Sequence, residues 1–374
     1  MTNATTRVAV LFGGRSGEHE VSLTSARAIA RALRSQPQRF EVVPVWITRD
    51  GRWRGGGEAL LEVLETTENY KPLPLDPDAL PELLPSLGGG DLVQVERGGD
   101  APTPLAIDVA FPVLHGPFGE DGTVQGLLEL VDLPFVGCAV TASAVAMDKV
   151  VAKALFASAG LPTLDSVAFL GPDWRGEQER WVAAAEETCG YPCFVKPANM
   201  GSSVGITKAH DRAELVPAID EALRWDRKVL VERAAEGYRE IECAVLGNDD
   251  PRASVPGEVV PCNEFYDYEA KYLDASSETL VPAELPAGVA ERVQRLAIEA
   301  FKVLACSGLS RVDFLVSRDG EQLWLNEVNT LPGFTPISMY PMMWDKSGLP
   351  FEQLVARLVE LGLERHRDRA GHLA

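Results

Sequence analysis

The sequence predicts an α/β protein of two or three domains that opens on a parallel sheet. Three observations predict it. The length of 374 residues exceeds one ordinary core. Buried-looking apolar runs alternate with amphipathic helical runs through the first third. In the middle the chain changes character, and short strands flank a Gly/Ser loop.

Arg7–Phe12 reads as a buried strand that runs into Gly13-Gly14, with an apolar-periodic helix at about Val21–Arg34. Further strands fit Phe40–Ile47, Ile107–Pro112 and a short Pro134–Val136. The stretch at about Asp50–Thr103, rich in Pro and Gly, reads as an elaboration of this first domain. A helix over Ala142–Ala159 leads to strand Ser166–Phe169, a helix near Glu177–Thr188 and strand Cys193–Lys196. After the Gly/Ser loop come strand Gly205–Lys208, a helix opened by Asp211 with Glu214 three residues on, and strand Lys228–Glu232. The last third holds strands Ile241–Leu246 and Glu258–Val260, a polar and aromatic loop at 263–279, and a helix Val289–Ala305. That helix shows Val289, Val293, Leu296, Ala300 and Leu304 on one face. Strands Ser310–Val316 and Leu323–Glu327 and a closing helix with Phe351, Leu354, Val355 and Leu358 complete the chain. The expected domains are 1–141, 142–236 and 237–374.

Thirty-five basic against 55 acidic residues give a formal charge of −20. That excludes a general nucleic-acid or anionic-membrane binder, which needs a basic face. An anionic nucleotide stays admissible, because a few lysines plus magnesium reverse the local field. The six cysteines include no C-x-x-C pair and read as reduced, mostly buried thiols; Cys189 and Cys193 find no histidine at zinc-finger spacing. The N-terminal apolar run is too short for a signal segment, and Leu133–Met147 is too interrupted for a membrane span. A cytoplasmic protein is expected.

Four clusters carry chemistry. In Lys196–Lys208 a lysine ends one strand and a Gly/Ser turn precedes the next, an arrangement that curls backbone N–H groups over phosphate oxygens. It is not a Walker motif, and taken alone such a hairpin also reads as a plain flexible loop. Arg311 and Asp313 share one strand face, as do Glu327 and Asn329 on the next strand. If the strands pair, three oxygen ligands converge beside an arginine, and oxygen-only ligands suit Mg²⁺. Met147-Asp148-Lys149 lies in an Ala/Val-rich helix, where a lysine alone reads as a snorkelling side chain. Gly13–Glu20 and His115–Gly122 each sit where a strand ends and a helix begins, the usual ligand position of an open α/β sheet. His19 and His115 read equally well as surface residues.

Together these clusters resemble the D-alanine–D-alanine ligase family of the ATP-grasp superfamily. The matching stretches are GGRSGEHEVSL (13–23), LHGPFGEDGTVQG (114–126), MDK (147–149), KPANMGSSVGITK (196–208), GYREIECAVLGN (237–248), FYDYEAKY (265–272), SRVDF (310–314) and NEVNTLPGFTPISMYP (326–341). They run in family order over essentially the whole chain, with 50–105 unsupported. The resemblance implies an N-terminal open-sheet domain and two ATP-grasp subdomains that clamp the nucleotide. It implies ATP-dependent ligation of two D-alanines through an acyl phosphate, in a homodimer. Lys149 and Lys196 would bind ATP phosphates beneath Gly201, Ser202, Ser203 and Val204, with Glu232 and Glu240 at the adenine and ribose edges. Phe265 and Lys271 join the ATP set. Asp313, Glu327 and Asn329 would carry two Mg²⁺ ions, replaceable by Mn²⁺. Glu18 would take the first ammonium, with His115 beside it. Arg311 and the Gly333 backbone would form the oxyanion site, and Ser338 would hold the second carboxylate. Lys271 and Tyr272 sit on a loop that closes the site, and Ser202 would link Glu18 to Tyr272.

The rival readings are a D-alanine–D-lactate ligase, a nucleotide-binding regulator without catalysis, and a nicotinamide dehydrogenase. Tyr272 in FYDYEAKY resembles the dipeptide-forming branch, pure binding has no need of Arg311, and Gly13-Gly14 lacks the dinucleotide fingerprint.

Overall fold

A computed structural model describes residues 5–95, 101–260 and 278–373. Three sheets organise them. The first grows from Thr6–Gly13, whose Val8–Phe12 run is fully buried because both faces are covered. It pairs in parallel with Phe40–Ile47 on one side and Val109–Val113 on the other. The expected strand at Pro134–Val136 is reduced to a single parallel bridge between Ala110 and Phe135.

The described residues of 50–105 extend this sheet beyond Phe40–Ile47. Trp53–Gly55, Glu82–Ser86, Asp91–Val95 and Thr103–Pro104 add an antiparallel ribbon, with helix Gly57–Thr66 alongside. Leu83 and Leu92 anchor the ribbon in the core, while its outermost strand holds Pro104, tolerated at an edge.

The expected single helix over Ala142–Ala159 is two helices, Val140–Met147 and Lys149–Ser158. Asp148 divides them. Its carboxylate accepts from Val150 N and Val151 N, both at 3.1 Å, so it opens the second helix instead of continuing the first. Lys228 pairs with the same carboxylate.

The second sheet is antiparallel, in the order Thr207–Ala209, Cys193–Pro197, Lys228–Arg233, Ser166–Leu170. Val182 and Ala185 of helix Gln178–Thr188 and Leu215 and Ile219 of helix Arg212–Ala222 share its core. Asp211 caps the latter by accepting from Glu214 N at 3.0 Å. Glu214 reaches back to His210 N at 2.8 Å, one residue before the cap.

The third sheet centres on Arg239–Gly247 and Gly308–Val316, followed by Leu323–Asn329. Helix Val289–Val303 covers it with the face expected from its spacing. Arg311 faces Asn329 and Asp313 faces Glu327 across the last strand pair. Directly after, Phe314 pairs with Leu325, so Asn326 is the extra residue of a bulge. Leu325 and Glu327 would share a face under strict alternation; the bulge lets Leu325 enter the core while Glu327 stays on the open side.

The closing helix Phe351–Leu373 returns to the first sheet. Leu354, Val355 and Leu358 share one core with Val8, Leu33 and Phe111. Arg39 pairs with Glu360 at 2.8 Å outside it. Among the described residues no helix is long and apolar enough to cross a membrane.

Candidate active site

All three sheets contribute to one cleft of about 670 Å³. The middle sheet supplies its cationic wall. Lys149, first residue of the helix that Asp148 opens, spans to the Met200 carbonyl at 2.8 Å and stands 3.6 Å from Glu327. Lys196 Nζ lies 2.5 Å from Glu232 Oε2, and Lys153 Nζ lies 2.5 Å from Oε1. Burial pushes the Glu232 carboxyl up, yet the two ammonium groups outweigh it and hold it below the ordinary carboxylate range. Burial likewise opposes the charge on Lys196, and Glu232, Glu327 and Glu240 raise it in net.

Between Lys196 and Lys208 the turn is strained. Ser202 and Ser203 both adopt left-handed backbone, at φ 48° and 60°, and Gly205 follows at φ 72°. Non-glycine residues in that region cost about 1–3 kcal/mol each and cluster at functional sites. Gly205 has no room for a side chain, since a Cβ would meet Trp225 at 2.6 Å and Pro197 at 2.8 Å. Gly201, Ser202 and Ser203 line the cleft; Val204 stands in the same turn without lining it.

The third sheet supplies the opposite wall. Arg311 holds Asp313 by two hydrogen bonds of 2.7 Å, Nε to Oδ1 and Nη2 to Oδ2. Glu242, beside Asp313 in register, lies 3.0 Å from Arg311 Nε. Burial disfavours the guanidinium charge, but Asp313 and Glu242 raise its pKa well above the usual value. Asn329 donates to Asp313 Oδ2 at 2.9 Å. Asp313, Glu327 and Asn329 thus form an oxygen-donor set on facing strand positions, the chemistry that suits magnesium. Phosphates would enter a cleft that also holds the Glu240 and Glu242 carboxyls, so such a counter-charge is needed.

The loops at the ends of the first sheet form the third wall. Glu18 is buried, and its Oε2 lies 3.2 Å from where a Cβ on Gly116 would stand and 3.6 Å from one on Gly201. His115 Nδ1 is 3.1 Å from the Leu331 carbonyl, and its Nε2 is 3.5 Å from Ser25 Oγ. Both histidines are buried rather than on the surface. His19 packs on Trp46 and reaches the Gly14 carbonyl at 2.7 Å, which holds the glycine turn. Burial lowers the pKa of both. Gly333 and Ser338 occupy the turn after the last strand; a Cβ on Gly333 would meet Ser338 Oγ at 2.7 Å. Ser338 Oγ accepts from Thr335 N at 2.9 Å.

The sequence reading gave no role to Lys153 and Ser25, which stand behind the cleft, or to Glu242 and Glu120, which line it. Lys153 lies one helical turn from Lys149, a spacing that marks a shared face. Glu242 lies two along the strand from Glu240, hence on its face. Glu120 accepts from Gly116 N at 2.8 Å and Leu331 N at 3.3 Å, and Ser25 Oγ accepts from Phe334 N at 3.2 Å. These last two tie the turn after the final strand to the first sheet across more than 200 positions, a proximity that spacing cannot disclose. Phe265, Lys271 and Tyr272 lie outside the described residues, so the link from Ser202 to Tyr272 does too.

Sheets that enclose a cleft with lysines on one wall and an Arg–Asp–Glu–Asn strand pair on the other define an ATP-grasp protein. The family model for the D-ala D-ala ligase N-terminus matches residues 7–138, and that for the C-terminus matches residues 155–360. The D-alanine–D-alanine ligase of Heliobacterium modesticaldum is 49% identical over 363 residues, covering 97% of this chain and 96% of its own. That of Geobacillus thermodenitrificans is 49% identical over 366 residues, with 97% of each covered. Among solved structures, the VanG D-Ala:D-Ser ligase of Enterococcus faecalis superposes with a TM-score of 0.81 at 37% identity, covering 96% of this chain and 100% of its own. The D-alanine–D-alanine ligase of Coxiella burnetii gives 0.79 at 34%, covering 99% and 97%. The chain belongs to the D-alanine–D-alanine ligase family.

Proposed function

We infer that this chain joins two D-alanine molecules into D-alanyl-D-alanine with cleavage of ATP to ADP and phosphate, a step that supplies peptidoglycan precursor. The observation that carries this reading is the meeting, in one cleft, of Lys149, Lys196 and the strained serine turn with Arg311, Asp313 and Glu327. A carboxylate must gain a leaving group before an amine can displace it, and phosphoryl transfer supplies one by positioning and charge neutralisation. In this reading Lys149 and Lys196 hold the ATP phosphates under the Gly201–Val204 turn, with Glu232 and Glu240 at the adenine and ribose edges. Asp313, Glu327 and Asn329 would hold magnesium, two ions with manganese as a substitute, which compensates phosphate charge.

Glu18 takes the ammonium of the first D-alanine and His115 lies beside it. Arg311 and the Gly333 backbone stabilise negative charge on the carbonyl oxygen under attack. Ser338 takes the carboxylate of the second D-alanine. Phe265 and Lys271 join the ATP set, Ser202 links Glu18 to Tyr272, and the loop that carries Lys271 and Tyr272 keeps water from the acyl phosphate. The same reading divides the chain at 141 and 236 and makes it a cytoplasmic homodimer of three-domain subunits.

The test is phosphate release and product analysis with D-alanine alone, L-alanine alone, and D-alanine mixed with D-lactate or D-serine, the last because a solved relative is named for it. D-alanine alone should give full turnover and the dipeptide in every mixture. Equal ATP hydrolysis with and without D-alanine would sink the ligase reading. A predominant ester product with D-lactate would transfer the second step to the depsipeptide alternative.

A further inference from the structure

Two lysines share one carboxylate beside the cleft, and only one of them reaches the cleft itself. Lys196 and Glu232 line it, while Lys153 stands behind Glu232. Lys153 comes from helix Lys149–Ser158, and its Nζ lies 2.5 Å from Glu232 Oε1 and 3.3 Å from the Leu164 carbonyl. Lys196 Nζ donates to the other oxygen, Oε2, at 2.5 Å. The Lys153 and Glu232 side chains are 9% and 2% exposed, so each charge depends on the other rather than on water. Phe194 stands opposite Glu232 across the strand pair and lines the cleft with it, an apolar ring beside a buried acid.

An incoming nucleotide treats the two lysines differently. In the proposed function Lys196 serves the ATP phosphates while Glu232 meets the adenine edge, so the phosphates compete with Glu232 for Lys196. A buried carboxylate that loses its cation takes up a proton, and a protonated acid donates as well as accepts. Lys153 does not line the cleft, so the phosphates do not compete for it. Held by Lys153, Glu232 stays an acceptor. An amine at the purine 6 position finds a partner there, and a carbonyl at that position finds only repulsion.

We propose that Lys153 is a positioning residue for the nucleotide base: from behind the cleft it keeps Glu232 a fixed acceptor while Lys196 turns to the phosphates, and so sets a preference for a 6-aminopurine triphosphate over a 6-oxopurine one. The proposal rests on the placing of Glu232 at the adenine edge in the proposed function.

The experiment compares ATP with ITP, which carries a carbonyl in place of that amine. Dissociation constants come from calorimetry on the full-length protein, and KM and kcat from phosphate release with D-alanine and magnesium. The wild type should prefer ATP by about tenfold or more, the worth of a hydrogen bond to a charged group. Lys153→Met should weaken ATP by about tenfold, in KM more than in kcat, and shift ITP by less than about threefold. Lys153→Gln keeps a donor for the Leu164 carbonyl without the charge, so it should do the same and serves where the methionine variant does not fold. Lys153→Arg returns the charge and should return the preference. A merely structural loss would weaken both nucleotides alike. An unchanged ATP-to-ITP ratio in either neutral variant, or an equal loss for both nucleotides, overturns the proposal. Equal affinity of the wild type for ATP and ITP overturns it whichever variants fold. Phosphate release by the wild type that does not depend on D-alanine overturns the ligase reading instead.

Discussion

Glu232 and Glu120 are both buried in walls of the same cleft, and burial alone would push either carboxyl up. Glu232 sits between Lys153 and Lys196, and their charges bring it below the ordinary value. Glu120 rests on two backbone N–H groups beside Glu18 and is pushed up to about 8, first by burial and then by Glu18. Near neutral pH the first is a carboxylate and the second mostly a carboxylic acid. In the proposed function the difference follows the task of each wall. The wall that would receive phosphates keeps its cations positioned by a fixed anion. The wall that would receive an ammonium holds Glu18 against the Gly116 turn and keeps Glu120 neutral.

The largest effect should come from the charged walls. Asp313→Ala removes a proposed magnesium ligand and the acid that Arg311 grips, so turnover should fall by on the order of 10³-fold, several kcal/mol of barrier, with unchanged circular dichroism. Near-normal turnover would defeat the metal assignment. Next, Glu232→Ala leaves two buried ammonium groups facing each other without their anion. Breaking a buried pair from one side typically costs about 3–5 kcal/mol, readable as a fall in the urea midpoint. A loss below about 1 kcal/mol would show that Lys153 and Lys196 reach solvent on their own and that the contrast with Glu120 is empty.

The charged walls were also the more legible in the sequence. Arg311, Asp313, Glu327 and Asn329 follow a period of two, and strand register delivers them together. Lys196 and the Gly/Ser turn announce themselves by composition. Even there the sequence hid the bulge at Asn326 and the break at Asp148, because each depends on which backbone N–H groups win a partner in three dimensions. The ribbon over 53–104 was illegible for another reason. Its strands run two to five residues, interrupted by Pro85 and Pro104, and of their leucines only Leu83 and Leu92 reach the core, so neither period nor propensity stands out. Glu120 was legible only as part of the His115–Gly122 turn; its contact with Leu331, 211 positions away, was not.

Glu120 therefore gives the smallest effect and the most discriminating one. Near pH 4 the acid is protonated both folded and unfolded, so Glu120→Gln exchanges one neutral planar group for another of similar shape. The amide offers one acceptor oxygen where Gly116 N and Leu331 N now face two, so one hydrogen bond is lost, at about 0.5–1.5 kcal/mol. As pH rises from there through about 8 the sign should turn. A group whose folded pKa is raised gives stability that is fully present below its unfolded value near 4.5 and is lost as pH rises through about 8. The wild type must ionise a buried acid beside Glu18, and the glutamine variant need not. His115 and His19 act the other way and lower down, since their depressed values remove stability only as pH falls below the imidazole range. The difference in urea midpoint between wild type and variant, taken near pH 4 and again at pH 9, isolates Glu120 from both, because the histidines are common to the two proteins. The wild type should be the more stable near pH 4, and the gap should close or reverse by pH 9. A gap that widens with pH would mean that the ionised form is the one the two N–H groups stabilise, and that Glu120 belongs with Glu232 after all.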